Sequence, residues 1–429
     1  MKKTLIVLAI LSPAVHADGN IEHFLRKSTH TFELKNAYNL IKSGRYDKTG
    51  NSNLLNWVQT ASYDFKSPYI NDTFGFDFGL YAIEPIAYGD KFYVRNALKK
   101  EVDKNGNITA KGFSKVSNAS LKQQFNISDF DVRLYEGLRV LKFFGGVSRD
   151  GVVTSSSYYG ITSEAISKHW NIKSGYLTQY SDANSSSRED LLTKDNKDID
   201  YIYTVDTRYQ YQEQSFRAYI GEGQGYLRTY FLGYNTMVKS TQLEGKVFYV
   251  NALSKYKNMS PRNRTFDNST YLAEIKSTFF FPSHFISVGY TYVSADKKGT
   301  LGRFDNNLSG NTKGNNDTIA SGLTKDFYNN NESMVYLSYA HKVSDEVKVS
   351  IRGRYGFGFD YKGQSLDEYE IGAIIFYKPT QVKGLKLSLA GGPNRSFRRG
   401  FDNTPILNSK NKVESFSGTS LLAKVTYTF

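Results

Sequence analysis

The sequence predicts an all-β fold, a transmembrane antiparallel β-barrel closed on itself, and three observations predict it. Apolar and polar residues alternate with period two in segments spread along most of the 429 residues. The composition favours strands, with 33 Tyr, 29 Phe and 35 Gly against 8 Pro and 2 Trp. The chain ends "SLLAKVTYTF", which puts Phe429, Tyr427, Val425, Ala423 and Leu421 on one face and Thr428, Thr426, Lys424, Leu422 and Ser420 on the other. An apolar-faced terminal strand left as an open edge invites aggregation, and closing the sheet removes the edge.

Average hydropathy points the other way and is misleading. Mean hydropathy is −0.49 and apolar content 39%, and past the N-terminus no stretch approaches the ~18 uninterrupted apolar residues of a helical span. A membrane barrel hides its hydrophobicity because only alternate residues face lipid. Composition alone leaves a soluble secreted β-protein open as the alternative.

The N-terminus "MKKTLIVLAILSPAVHA" has Lys2 and Lys3, an apolar run over 5–11 and small residues around Ala17. It is too short to span a bilayer and reads as a cleaved export signal over 1–17, leaving 18–429 as one barrel domain. Losing Lys2 and Lys3 takes the formal charge from +14 to +12 (14 − 2). With no cysteine in the chain, the exported protein has neither a disulfide framework nor thiol chemistry.

Individual strands follow from the alternation. "THTFELKNAYNL" sets Phe32, Leu34 and Tyr38 against Glu33 and Lys35, and "FDVRLYEGLRVL" sets Phe130, Val132 and Leu134 against Asp131, Arg133 and Tyr135. "YIYTVDTRYQY" opposes Tyr203, Val205, Tyr209 and Tyr211 to Thr204, Asp206, Arg208 and Gln210. "VKVSIRGRYGFGF" puts Val347, Val349, Ile351, Tyr355, Phe357 and Phe359 on one face, with Lys348, Ser350, Arg352 and Arg354 on the other. "EYEIGAIIFY" and "GLKLSLAGG" continue the pattern, with Lys386 and Ser388 on the polar face. Several runs reach the roughly nine to eleven residues a tilted membrane strand needs. Long polar connections at 181–198, 255–270 and 303–322 read as external loops, and "KNGN" (104–107) as a tight type I′ hairpin. Residues 162–170 hold at most one short helix. At roughly 20–25 residues per strand with its share of loop, the chain accommodates about 16 to 20 strands, enough to enclose an aqueous lumen.

The stretch "GNIEHFLRKSTHTFELKNAYNL" resembles the opening of OprD-type outer-membrane porins. The block from Trp57 through Asp64-Phe65-Lys66-Ser67-Pro68-Tyr69 to Phe74-Gly75-Phe76-Asp77-Phe78-Gly79 is similar to that family's second and third strands. "IDYIYTVDTRYQY" and "GEGQGYLRTYFLGYN" resemble its chitoporin branch in particular. The likeness implies an 18-strand barrel in the bacterial outer membrane, working as a monomer or weak trimer and passing amino acids, peptides, aromatic acids or chitooligosaccharides. Chitooligosaccharides or related sugars are the first expectation for this chain, and amino acids, peptides or small carboxylates the second. The ending at Tyr427 and Phe429 resembles the signal read by barrel-assembly machinery.

Candidate pore-lining residues are the cations and rings on polar faces. Arg133, Arg139, Arg208, Arg217, Arg352 and Arg354 should point inward, followed by Lys386 and Lys424, and a row of fixed positive charge concentrates anions. Tyr135 and Tyr219 share that side and could stack on sugar rings. The competing reading is structural pairing, with Asp131, Asp206 and Glu370 as partners. No G-x-S-x-G motif occurs. "GEGQG" lacks phosphate-loop spacing. "DKNGN" has Ile108 and Ser114 where a calcium loop needs Gly and Glu. The five histidines past residue 17, at 23, 30, 169, 284 and 341, have no metal-ligand spacing. No cofactor is expected, nor is a nucleic-acid partner, since the basic charge forms no helix-borne patch. A barrel-anchored hydrolase and a plugged adhesive barrel are the alternatives from other classes.

Overall fold

In the computed structural model residues 24–42, 54–89, 98–148, 153–400 and 404–429 are described; the expected export signal at 1–17 lies outside them. The wall consists of β1 (Thr29–Ile41), β2 (Leu54–Lys66), β3 (Phe74–Tyr88), β4 (Phe113–Ile127), β5 (Phe130–Arg139), β6 (Ser157–Ile166), β7 (Trp170–Ser181), β8 (Ile202–Tyr211) and β9 (Gln214–Gly223). It continues through β10 (Leu227–Val238), β11 (Thr241–Ala252), β12 (Ser269–Phe280), β13 (His284–Ser294), β14 (Ser333–Lys342), β15 (Val347–Tyr361), β16 (Gln364–Tyr377), β17 (Leu385–Phe397) and β18 (Ser415–Thr428). Each strand pairs antiparallel with the next, and β18 returns to β1 in register from Glu33 opposite Thr428 to Ile41 opposite Ser420, closing an 18-strand barrel. A small hairpin of Glu189–Leu192 and Asp198–Ile199 stands on β7 above the wall.

The two ends differ. One carries short turns at 67–73, 128–129, 167–169, 212–213, 239–240, 281–283, 343–346 and 378–384. The other carries the connections 42–53, 89–112, 140–156, 182–201, 253–268, 295–332 and 398–414, with tight turns at 224–226 and 362–363. The three long polar segments read from the sequence all belong to this second end.

Alternation sorts the side chains as the pattern requires. Leu232, Ile275, Leu337, Ile351, Ile371, Leu389 and Val425 stand exposed on the outside as an apolar band. Toward the long-loop end lie Tyr176 beside Tyr201, Tyr230 beside Tyr249, and Tyr271 beside Tyr292. Toward the short-turn end lie Trp170 beside Tyr209, Phe280 beside Phe285, and Phe281 beside His284. Two aromatic girdles around an apolar band are the exterior a bilayer selects. The final residue belongs to the lower girdle. The Phe429 amide donates to the Phe32 carbonyl at 2.9 Å, and its ring lies 4.3 Å from Tyr427 and 5.5 Å from Phe32.

Three local expectations are corrected. Phe359 does not continue the outward face of β15: a bulge between Gly356 and Phe359, with Gly358 at φ +79°, turns it inward to 1% exposure against Phe397. An inserted residue exchanges the two faces beyond it. The 104–107 hairpin forms, but inside the 89–112 loop, between Lys99–Val102 and Ile108–Lys111. Only Gly106 has positive φ (+81°) there, and the Asp103 carboxylate holds the Asn105 and Asn107 amides, each at 2.8 Å, so the turn is not type I′. Lys362-Gly363, at φ +52° and +73°, has both residues in the left-handed region that such a turn requires. Residues 162–170 form the end of β6 and a turn, while the short α-helical stretches among the described residues are 24–27 and Ser254–Lys257.

Candidate functional site: the lumen and the loop across it

The longest connection, 295–332, folds down into the barrel instead of standing above it. Its Phe304, Leu308, Ala320, Phe327 and Tyr328 pack against inward Phe231, Phe248, Val250, Leu272 and Met334 in one buried cluster. Burying each large side chain of this kind contributes about 1.5–3 kcal/mol, so this side of the lumen is filled as a protein core is.

Polar groups of the wall then hold the loop backbone. The Glu274 carboxylate accepts from Thr318 Oγ1 at 2.6 Å and the Ile319 amide at 2.8 Å. Glu370 accepts from the amides of Leu323 (2.8 Å) and Thr324 (2.7 Å), Thr324 Oγ1 (2.6 Å) and Arg354 Nη1 (3.2 Å). Arg354 Nε donates to the Ile319 carbonyl at 2.8 Å. Further along, Lys325 Nζ lies 3.2 Å from Glu368 and donates to the Arg395 carbonyl at 2.6 Å. Glu368 also takes Ser396 Oγ at 2.7 Å and Asn329 Nδ2 at 3.2 Å, and faces Arg399 at 3.5 Å.

The 140–156 loop joins from the other side. The Gly145 amide donates to Asp206 at 3.1 Å, the Gly146 amide to Thr204 Oγ1 at 2.8 Å, and Asn315 Nδ2 to the Gly145 carbonyl at 2.9 Å. The two loops thus meet inside the barrel.

Burial shifts the loop's titratable groups. Burial and the neighbouring Glu368 push the Glu332 carboxyl well above the usual range. Its Oε2 accepts both the Asn329 amide and Nδ2, while its Oε1 has no partner. Burial lowers the Lys325 ammonium, with Glu368 opposing the shift. Asp305 is pushed up by burial but pulled below its ordinary value by Lys194, with which it forms an ion pair.

The eight residues proposed from the sequence separate into three groups. Arg217 is clamped by both oxygens of Asp206 (3.0 and 2.7 Å) and donates to the Phe143 carbonyl at 3.1 Å. Tyr219 is 4% exposed and stacked on Phe231 at 4.7 Å and 11°, so its ring presents no face to the lumen. Together with Arg354, these two belong to the packing between wall and loops. Arg133 pairs with Asp131 at 2.6 Å, and Arg139 covers the Tyr135 ring at 3.5 Å while bonding Thr162 Oγ1 at 2.5 Å. Arg208 and Arg352 differ: neither makes an ion pair among the described residues, and the Arg352 Nε has no hydrogen-bond partner. The three carboxylates named as structural partners, Asp131, Asp206 and Glu370, each pair with one of these arginines.

The sequence reading missed Glu274, Glu332, Glu368 and Lys325. Glu274 and Glu368 carried a usable signal, since each is an acid at an inward alternation position in mid-strand. What they would hold was invisible without the loop. Among the described residues no group of three or more His, Cys, Asp or Glu side chains could hold a metal ion.

No family model and no curated protein matches this chain. Solved structures do. Acinetobacter baumannii OccAB3 superposes with a TM-score of 0.72 at 16% identity, over 94% of this chain and 100% of the other. Pseudomonas aeruginosa OpdK, solved with vanillate, gives 0.69 at 13% over 95% and 99%, and P. aeruginosa OccK8 (OprE) gives 0.70 at 16% over the same shares. These neighbours are OprD/Occ outer-membrane porins, and at such identities the likeness is one of fold: this chain has their closed 18-strand barrel along essentially its whole length.

Proposed function

We propose that this protein is an OprD-like porin of the bacterial outer membrane, a passive, partly selective channel for small anionic solutes. The observation that carries the reading is a closed barrel narrowed by an inward loop, with Arg208 and Arg352 making no ion pair among the described residues on the polar side of its wall. Fixed positive charge in a narrow lumen raises the local concentration of anions without any bond being made or broken. The long-loop end then faces outward and the short-turn end the periplasm.

Small carboxylates and acidic amino acids or peptides become the first solute class. Tyr219 is covered and Arg139 sits on Tyr135, so the two rings proposed for sugar stacking are occupied. That leaves chitooligosaccharides as the second class. The fold neighbour OpdK, solved with vanillate, supports the order. The chain works as a monomer or weak trimer among outer-membrane lipids, and the Tyr427–Phe429 ending serves its delivery to barrel-assembly machinery. Deleting Phe429 is expected to lower the yield of heat-modifiable barrel in the membrane; a normal yield removes that role.

The purified protein is expected to form pores in planar bilayers, with current blocked by a small carboxylate more strongly than by a neutral sugar of the same size. Absence of current at every voltage overturns the channel reading in favour of a plugged barrel or a barrel-anchored hydrolase. Liposome swelling and hydrolysis of lipid or peptide substrates then separate those two.

A further inference from the structure

We propose that Glu274 and Glu370, each with a neighbouring wall glycine, form two seats that position the 318–325 segment and so set the bore of the channel; this rests on the channel reading above.

The same device occurs twice. In the first seat, Glu274 holds the Ile319 amide, and the Ile319 side chain lies over Gly289, where an added Cβ would meet Ile319 Cδ1 at 2.4 Å. In the second, Glu370 holds the Leu323 amide, and the Leu323 side chain lies over Gly372, where a Cβ would meet Leu323 Cδ1 at 2.6 Å. Each seat therefore takes one aliphatic loop residue by its backbone N–H and its side chain together. Arg354 joins them, bonding Glu370 with Nη1 and the Ile319 carbonyl with Nε. Gly322, between the seats, is pressed against Glu370 Oε1 and the Lys325 carbonyl, leaving no room for a Cβ at either.

The physical reason the seats hold is the burial of their carboxylates. Glu274 is 2% and Glu370 1% exposed, so water cannot replace the loop donors. Charge-assisted bonds to backbone N–H groups are about twice as strong as neutral ones. If the loop left, both carboxylates would lose their backbone N–H donors and keep only a wall cation each, Arg354 at Glu370 (3.2 Å) and Lys246 at Glu274 (3.5 Å). The loop's own amides would also need new partners.

The test compares a charged and an uncharged way of emptying one seat. Glu370→Ala removes the acceptor, and Gly372→Leu fills the glycine seat while leaving every charge in place. Both are expected to raise single-channel conductance in 1 M salt at least about twofold, as conduction follows pore width, and to admit larger sugars in liposome swelling. Because the chain has no cysteine, Leu323→Cys with Gly372→Cys in the Glu370→Ala background supplies a lock: wild-type conductance when oxidised, high conductance when reduced. Wild-type conductance and size cut-off in both single variants, with heat-modifiable barrels intact, overturns the proposal. If Glu370→Ala fails to fold with Arg354 unpaired, Gly372→Leu and the cysteine pair in the native background decide alone. A wild-type protein without current refutes the channel reading only. Loop position is then read from whether the cysteine pair crosslinks in reconstituted protein, and failure to crosslink counts against the seats.

Discussion

Two stretches of the wall carry the same residue types and use them differently. On β3 to β6 three inward cations settle onto their own wall: Lys122 on Asp77 at 2.7 Å, Arg133 on Asp131 at 2.6 Å, Arg139 near Glu164 at 3.7 Å. On β12 to β16 four inward charges reach past the wall to the loop, Glu274, Arg354, Glu368 and Glu370. In the first stretch a charge stiffens the sheet. In the second it decides how much lumen is open. A charge at an inward alternation position therefore says only that it is inside; its task depends on which loop comes down in front of it.

The largest effect expected from this contrast is at Arg217, which lies between the two regimes because it pairs with the wall and also touches the 140–156 loop. Its pair with Asp206 is buried, with side-chain exposures of 11% and 7%. Arg217→Ala leaves Asp206 without its cation and is expected to cost about 3 kcal/mol, read as a lowered unfolding midpoint of the reconstituted barrel. The Arg133–Asp131 pair is about a third exposed, at 36% and 33%, so Arg133→Ala should cost no more than ~1 kcal/mol. Equal losses at the two positions would break the distinction between buried and open wall pairs.

A smaller effect is pH-dependent and belongs to the loop root. The Glu332 carboxyl is raised by burial and by Glu368, so the fold favours its neutral form. A carboxyl raised in this way contributes stability that is complete below the ordinary Glu range and is lost as pH rises through its raised value. The root should loosen across that window, seen as growing open-channel noise on going alkaline. Glu332→Gln keeps the neutral form at every pH and is expected to abolish the alkaline noise. Persistence of the noise in that variant would place its origin elsewhere.

The smallest effect concerns the two unpaired arginines. One unit charge about 10 Å from the conduction path changes an ion's energy in water by ~0.4 kcal/mol. Arg208→Ala and Arg352→Ala should each lower anion preference by about twofold, measured as reversal potential, without moving the unfolding midpoint. A stability loss at either position would assign it a partner and a structural task like that of Arg217.

Much of the fold was legible in the chain. Period-two alternation showed which residues face inward on β5, β8 and most of β15, because adjacent strand side chains must point to opposite faces. The terminal strand's apolar face implied closure. Alternation failed at Phe359, where Gly358 admits a bulge that no hydrophobicity pattern records. It also could not distinguish Arg352 from Arg354, two residues apart on one face of one strand. Arg354 meets Glu370 and a loop carbonyl; Arg352 makes no ion pair among the described residues, and its Nε has no hydrogen-bond partner there.

By itself, then, the sequence determined a closed, outwardly apolar barrel with its charge inside, since strand geometry and the absence of water in a bilayer leave few alternatives. Only the tertiary structure decided which inward charges pair with the wall, which hold the loop, and which do neither. That depends on where residues 318–325 come to rest, and their position is set by buried carboxylates and wall glycines far from them in the chain.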